Sequence, residues 1–382
     1  MANFQIQAVT TPAEQEMFLD VPALVYAKDP HWVPPLRSSI AKQFAPSNPF
    51  FQYGKLQQFI AVETNSQAVG RIVAAVNDRL IDRENQNVGL FGFFECVSDL
   101  AMPAAGYAYA RALLDTACNW LREQGMTTAR GPIDLSTHNN CLFLVDGFDS
   151  PPLVMMPYNP AYYPEFMKEN GWHKAKDAYA YDLPLDKPLP EKFEKGYRIA
   201  CKSGVSFRPI RTKGEEFEQD CISLYHLFNR AFANNWSSTP RTQAEFLSAA
   251  KDLQSLVDPD VFPIAEYNGE MVGFLMGLPD YNIPFKYVGG KLNWLGIIKF
   301  LWYRRQIDRG RVIAICSLPE HRRKMVPLAL MYLGMQGGMK KDKPYKQAEL
   351  SWVYEDNFAS RKLIEASGGK IYKTYRIYEK TL

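Results

Sequence analysis

Three places in this 382-residue chain gather side chains that could do chemistry. The first is Glu95, which ends the run Gly89-Leu90-Phe91-Gly92-Phe93-Phe94-Glu95. Strand alternation puts Phe91, Phe93 and Glu95 on one face, and a carboxylate set among aromatics loses hydration, which lifts its pKa towards the range of a general base. The same placement also suits a structural glutamate paired with Arg71 or Arg130. The second place is Arg322-Arg323-Lys324, followed by Met325, where an apolar strand pattern gives way to a helical one. Three cations beside the free N–H groups of a helix start attract a phosphate, although a solvated charge cluster has the same composition. The third is Ser136-Thr137-His138-Asn139-Asn140, with Asp146, Asp149, Tyr158 and Asn159 beyond it. These residues either line a pocket for a small polar ligand or satisfy the backbone of their own long loop.

Other chemistries lack their residues. Five histidines (His31, His138, His173, His226, His321) show no metal-ligand spacing, so no metal is expected. Gly290-Lys291 is followed by Leu292, not the Ser or Thr of a phosphate loop. Six cysteines stand singly, which fits a reducing compartment. The N-terminal stretch carries Glu14 and Glu16 and has no basic segment leading into an apolar one, so a cytoplasmic location is expected. A net charge of +3, from 44 basic and 41 acidic residues without a basic tail, gives no reason to expect nucleic acid.

The elements that must hold these residues occur twice. Val62 to Gly70 and Ala265 to Gly273 each read as strand, tight turn, strand, with Asn268-Gly269 the signal for a type I′ hairpin and Asn65-Ser66 a weaker form of it. Asn159 precedes Gly171 by twelve residues and Asn357 precedes Gly369 by the same twelve. From Gly70 to Asn159 is 89 residues and from Gly273 to Asn357 is 84, the spacing of a tandem repeat. In the first copy, strands are expected at 4–9, 56–63, 68–76 and 88–97. A helix follows over 104–124, where Leu113, Leu114, Ala117, Trp120 and Leu121 form one stripe, then a strand at 128–134, an irregular stretch to 160, a helix at 162–170 and a strand at 175–183. Prolines 184, 188 and 190 mark a connector. The second copy reads as a strand at 206–210, helices near 217–232 and 246–257, a hairpin at 263–278 and an inserted helical segment at 291–308. A strand at 311–318, a helix at 326–340, a strand at 348–354, a helix at 358–366 and a strand at 370–379 complete it. Domains of 1–183 and 197–382 around a linker at 184–196 are each large enough for their own core. The order implies an α/β fold, with helices on both faces of a mixed sheet.

That order, with Pro319-Glu320-His321-Arg322-Arg323-Lys324-Met325 at a strand-to-helix junction and Asn357-Phe358-Ala359-Ser360 opening a later helix, resembles the GCN5-related N-acetyltransferase (GNAT) superfamily. In the first copy, the run ending in Glu95, Leu144-Val145-Asp146-Gly147-Phe148-Asp149-Ser150-Pro151-Pro152 and Met155-Met156-Pro157-Tyr158-Asn159-Pro160 look like a bacterial family of tandem GNAT-like proteins. The resemblance covers nearly the whole chain. It implies two tandem acyl-CoA N-acyltransferase domains, acetyl-CoA or another acyl-CoA as co-substrate without a metal, and a small amine-containing acceptor. The alternative is a catalytically silent GNAT-like fold that binds a small ligand or a partner, and a homodimer is left open.

By the family's pattern, Arg322 takes the arginine slot of the pyrophosphate cradle, Arg323 and Met325 take glycine slots, and Pro327 takes the last small position. Arg322, Arg323, Lys324 and Met325 are therefore the expected cofactor residues, with Asn357 and Ser360 beside the pantetheine arm. The matching junction of the first copy, Cys96-Val97-Ser98-Asp99-Leu100-Ala101-Met102-Pro103, has no basic residue and is not expected to bind CoA. Ile364 stands where many members place the tyrosine that protonates the leaving thiolate, so Tyr354 is the expected substitute. Glu95 is the expected base, with Glu349 and Glu355 its counterparts in the second copy. His138, Asn139, Asn140, Asp146, Tyr158 and Asn159 are expected to bind the acceptor. The most apolar window, Leu292 to Tyr303, contains Lys299 and is too short to span a bilayer, so no stable membrane insertion is expected. It reads as a helix buried against the second copy, with an interfacial helix or the wall of an acyl-chain pocket as the other readings.

Overall fold

Turn residues set the two hairpins. Asn268 and Gly269 take φ of 53° and 81°, the pair of left-handed conformations that a type I′ turn requires. The first turn differs from expectation: only Ser66 is left-handed, with φ 66°, and the Asn65 side chain accepts from the Gln67 N–H at 2.9 Å. The longer loop is absorbed by a register shift between Ala61 and Val62.

The computed structural model describes residues 4–98, 103–232, 235–342 and 344–382. The first half contains β1 (Phe4–Ala8), α1 (Pro12–Val25), α2 (Arg37–Lys42), β2 (Gly54–Glu63), β3 (Ala68–Asn77), α3 (Asp78–Glu84) and β4 (Val88–Cys96). It continues through α4 (Pro103–Glu123), β5 (Thr128–Gly131), β6 (Phe143–Asp146), α5 (Tyr163–Glu169) and β7 (His173–Pro184). The second half contains α6 (Glu191–Lys202), β8 (Val205–Pro209), α7 (Gly214–Ala231), α8 (Gln243–Leu253), β9 (Pro263–Tyr267) and β10 (Glu270–Pro279). After these come α9 (Asn282–Val288), α10 (Trp294–Tyr303), β11 (Arg309–Ser317), α11 (Val326–Met339), β12 (Gln347–Tyr354), α12 (Phe358–Ser367) and β13 (Lys370–Thr381). Of the first-copy junction at 96–103, Asp99 to Met102 lie outside the described residues.

Thirteen strands join one mixed sheet in the order β1-β2-β3-β4-β5-β13-β7-β12-β11-β10-β9-β8, with β6 also paired to β13. The last strands of the two halves are exchanged. β7 lies beside β12, from Gln347↔Pro184 to Tyr354↔Ala178, and β13 lies beside β5, from Tyr378↔Gly131 to Thr381↔Thr128. β7 and β13 pair with each other from Lys370↔Asp182 to Glu379↔His173. Ala178, Ala180, Tyr181, Tyr375 and Ile377 on these strands are fully buried. Burial of each large side chain contributes about 1.5–3 kcal/mol. Lys373 of β13 is also buried, and its Nζ donates to the carbonyls of Gly147 and Ser150 at 2.6 and 2.8 Å.

α4 and α5 cover one face of the first half, while Phe18 of α1 covers the other beside Val73, Leu90 and Phe93. In the second half, α6 and α11 pack together, with Leu328 seated over Gly196 where a Cβ would approach to 2.8 Å.

Because each half completes its sheet with the other's last strand, unfolding should be a single event. Calorimetry should give one transition with equal calorimetric and van't Hoff enthalpies, and truncation after Gly369 should abolish it. Two separable transitions would show that the halves are independently stable.

Candidate active site

The sheet forks twice. β4 and β5 run parallel from Val88↔Thr128 to Leu90↔Arg130 and then part; β11 and β12 do so from Arg309↔Gln347 to Val312↔Leu350. A fork between parallel strands presents peptide groups that an extended, amide-bearing arm can pair with. Each fork also has a bulge on its leading strand. The β3–β4 register shifts between Arg71 and Val73. The β10–β11 register shifts between Met276 and Gly277, so that Ile313 faces no β10 residue.

The first fork is closed by its own chain. The Ile133 N–H donates to Phe91 O at 2.8 Å, and the Phe93 N–H at the bulge donates to Asp134 Oδ1 at 2.6 Å. A Cβ on Gly92 would come within 2.5 Å of Ile133 O. Further along, Phe94, Phe143 and Tyr163 fill the gap edge to face, with centroids 5.1 to 6.0 Å apart.

The second fork is open. Ile313, Ala314, Ile315 and Cys316 on one side and Trp352 and Val353 on the other are each partly exposed, and no described pairing joins the strands past Val312 and Leu350. At its far end the chain makes a 3-10 turn, Pro319–Lys324, and enters α11 through Met325 with φ 62°. Met325 thus holds the left-handed conformation of the glycine expected there, at a cost of about 1–2 kcal/mol for a residue with a Cβ. Arg322 and Arg323 are exposed and make no ion pair with a described residue. Arg322 lies near the Cys316 thiol, whose pKa burial raises to about 12 against the pull of that charge. Lys324 is turned aside, with Nζ 3.0 Å above the Tyr267 ring, and His321 packs 5.1 Å from the same ring. Pantetheine needs a slot and pyrophosphate a cradle. Past Val312 and Leu350 the second fork has no described strand pairing, and exposed cations stand at its end, whereas the first fork is filled by its own chain.

At the base of the open fork lies a buried network that sequence patterns did not single out, apart from Glu349. Arg311 Nε donates to Ser351 Oγ at 2.9 Å and Nη1 to Val154 O at 2.8 Å. Ser351 Oγ donates to Glu349 Oε1 at 2.5 Å, and the Tyr372 hydroxyl of β13 donates to Glu349 Oε2. Arg311 Nε is 3.6 Å from the same carboxylate, and burial lowers the guanidinium's pKa. Register pairing of Arg311 with Glu349 was the available signal, but it depends on knowing which strands are neighbours. Below the fork, between β10, β11 and α11, is an apolar cavity of about 20 Å³, room for one water.

Glu95 sits in the other half. The alternation expected of β4 fails at the bulge, where Phe93 has φ 50°: Phe91 packs on Trp172 and Phe143, while Phe93 faces Phe44 across the sheet. Glu95 accepts from the Tyr163 hydroxyl at 2.7 Å and lies 4.0 Å from Arg71 Nη2, with 15% of its side chain exposed. Burial raises its pKa to about 7, against the Arg71 charge and the tyrosine hydroxyls. Arg130 is not its partner, being paired with Glu84 and Glu379. Glu355 is tied to Lys174 at 2.6 Å.

Tyr354 stands on β12 past the fork, buried between Trp236 and Trp352, with no hydroxyl partner among the described residues. Burial pushes its pKa well above 10. Asn357 caps α12, accepting from the Ser360 N–H at 3.2 Å.

The polar cluster is largely spent on backbone. His138 Nε2 meets Thr239 O at 2.8 Å, across the junction with the second half, and burial lowers its pKa to about 4. Asn139 Nδ2 donates to Asp134 O at 2.8 Å, and Asn159 brackets Leu144 by accepting from its N–H at 2.6 Å and donating to its carbonyl at 3.1 Å. The Tyr158 hydroxyl donates to Asp29 Oδ2 at 2.7 Å. Asn140 and Asp146 are exposed.

Twin forks with a bulge in each, on one strand-exchanged sheet, give this chain the fold of tandem GCN5-related N-acetyltransferases. A tandem GNAT protein from the clavulanic acid biosynthesis pathway superposes over 99% of this chain and 98% of its own, with TM-score 0.58 and 14% identity. A GCN5-related N-acetyltransferase from Sphaerobacter thermophilus superposes over 99% and 95%, with TM-score 0.51 and 14% identity. No protein-family profile matches the sequence. The chain is 34% identical to the bacterial ceramide synthase of Caulobacter vibrioides over 100% of its length and 98% of that protein, and it belongs to that protein's family. Protein YghO of Escherichia coli is 28% identical over 96% of this chain and 92% of its own.

Glu95 makes a checkable claim about pH. Burial lifts its carboxyl to about 7 in the folded chain, against about 4.5 for a solvated glutamate, so between these values the unfolded chain releases a proton that the folded chain keeps. Stability therefore falls as pH rises through that window, by on the order of 3 kcal/mol. Glu95→Gln should remove this slope, so that its stability relative to the parent rises between pH 5 and pH 7.5 in urea denaturation. Parallel profiles for the two proteins would show that Glu95 does not titrate in this window.

Proposed function

We propose that this protein is an acyl-CoA-dependent N-acyltransferase whose second domain, residues 197–382, holds the thioester in the fork between β11 and β12. The open second fork beside the closed first one is the observation that carries the reading. The pantetheine arm lies along Ile313 to Cys316, the pyrophosphate meets Arg322 and Arg323 at the start of α11, and the bulge at Ile313 supplies a peptide N–H for the thioester carbonyl. The acceptor's neutral amine attacks the carbonyl carbon to form the C–N bond, the C–S bond breaks as the carbonyl re-forms, the thiolate takes up one proton, and the nitrogen gives up one as it becomes the amide. Tyr354 is the assigned donor of that proton, because its hydroxyl is buried on the fork strand without a described partner. Glu349, with Tyr372, is the carboxylate at the base of the fork and the assigned acceptor of the ammonium proton.

The name of the Caulobacter relative points to ceramide, an amide of a long-chain amino alcohol, and we extend that acceptor class to this chain. A silent reading belongs to the first domain, residues 1–183, beyond the 184–196 linker. Asp134 on the Phe93 N–H and the Phe94-Phe143-Tyr163 plug favour a supporting role for it.

Turnover tests this directly. Purified protein should convert sphinganine and a long-chain acyl-CoA into the amide, detected by mass spectrometry together with free-thiol release. Arg322→Ala with Arg323→Ala should raise KM for acyl-CoA about tenfold with little change in kcat, whereas Tyr354→Phe should lower kcat. Binding of acyl-CoA without amide formation would support the silent reading for both domains, and absence of binding by the folded protein would remove acyl-CoA from the proposal.

A further inference from the structure

α10 does not have the cover that its composition leads one to expect. Of Trp294-Leu295-Gly296-Ile297-Ile298-Lys299-Phe300-Leu301-Trp302-Tyr303, only Gly296 is buried. Trp294 is 69% exposed and Trp302 64%, and Leu295, Ile297, Ile298 and Leu301 are exposed with them. Successive helical positions turn by about 100°, which puts these six residues on one continuous outward arc, with Lys299 at its edge. The inner arc is satisfied: Phe300 packs on Tyr281 and Phe285 at 5.8 and 5.2 Å, and Tyr303 stacks on Tyr287 at 3.6 Å. The hairpin of α9 and α10 is also pinned to the first half, through Lys286 Nζ on Pro30 O at 2.6 Å, the Arg37 N–H on Gly290 O at 3.1 Å and Asn282 Nδ2 on Pro152 O at 2.9 Å. The helix is thus held in place while its apolar arc faces outward.

Charge identifies what covers that arc. Between Asp280 and Asp308 the chain has no acidic residue and five basic ones, Lys286, Lys291, Lys299, Arg304 and Arg305. Lys291, Lys299 and Arg304 are exposed around the apolar arc. A second copy docked on this face would bring two such cationic segments together, whereas an anionic surface would neutralise them. Tryptophans on the outward arc, flanked by cations with flexible stems, match the boundary between lipid acyl chains and headgroups. No described helix is long and apolar enough to cross a membrane, so the mode is interfacial.

We propose that α10 docks the protein onto the surface of a bilayer containing anionic phospholipid, its axis in the membrane plane and its Trp294, Ile298 and Trp302 row among the acyl chains. The inference stands on exposure and charge and does not require the acyl-transfer reading.

Flotation of the full-length protein with phosphatidylglycerol/phosphatidylethanolamine vesicles, and with phosphatidylcholine vesicles, tests it. The parent should float with the anionic vesicles, and the Trp294→Ser, Trp302→Ser double variant should lose at least tenfold in bound fraction with unchanged elution on size exclusion. Lys299→Glu with Arg304→Glu should abolish the preference for phosphatidylglycerol. Equal flotation of parent and double tryptophan variant would overturn the proposal, as would no flotation of the parent. A concentration-dependent dimer that the tryptophan substitutions abolish, without vesicle binding, would assign the face to a second copy.

Discussion

The exchange of β7 and β13 is the constraint on which the rest of this structure depends. Each strand is the outer partner of the other half's fork strand, β7 beside β12 and β13 beside β5. Both forks are therefore built on backbone supplied from across the molecule. β13 also delivers side chains to its neighbours: Tyr372 to Glu349 at the base of the open fork, Lys373 to the loop carbonyls of Gly147 and Ser150, and Glu379 to Arg130. A change in the β13 register by one residue would turn all three to the opposite face. The position of the candidate site is thus fixed by pairing between sequence-distant strands, and the loops decorate a frame already set.

On that frame the two forks differ in backbone as well as side chains: Ile133 closes the first against Phe91, and its bulge residue Phe93 is left-handed, φ 50°. In the first, a carboxylate caps the bulge N–H and three aromatic rings occupy the cleft. In the second, no such side chains intrude among the described residues, and Met325 keeps a glycine-like φ at the start of α11. Retention of that conformation by a residue that disfavours it means the surrounding turn over-determines the backbone there. The position is held for its geometry, and sequence identity to the glycine pattern was a poor guide to it.

Locally encoded elements were legible. The Asn268-Gly269 turn, the apolar stripe of α4 and the β-α-β order of the second half depend on neighbours within a few residues, and they stand close to where spacing placed them. The capping box of Thr11 and Glu14 at the start of α1 is equally local, as is the amphipathic pattern of α6, which starts at Glu191 inside the 184–196 connector expected from the prolines. Strand exchange was not legible, because pairing partners more than a hundred residues apart leave no periodicity. The bulge at Phe93 was hidden for a different reason: one left-handed residue inverts the face of everything after it, and Phe carries no mark of that conformation. Asn357 illustrates ambiguity of type, since the amide that could meet a cofactor arm is here the N-cap of α12. For α10, composition alone could not say which side is covered, because a helix apolar nearly all round gives no polar face to orient it.

The exchanged strand has a consequence for how this chain is made. During synthesis the first half emerges early, but the strand that must lie beside β5 is encoded after the whole of the second half's core. Until β13 emerges, β5 and β7 present unpaired edges, together with apolar side chains that β13 will later cover. The nascent first half is therefore held open until the second half has been made. Its protection in that interval falls to chaperones and to the speed of the ribosome, and any stall in the second half lengthens the exposure.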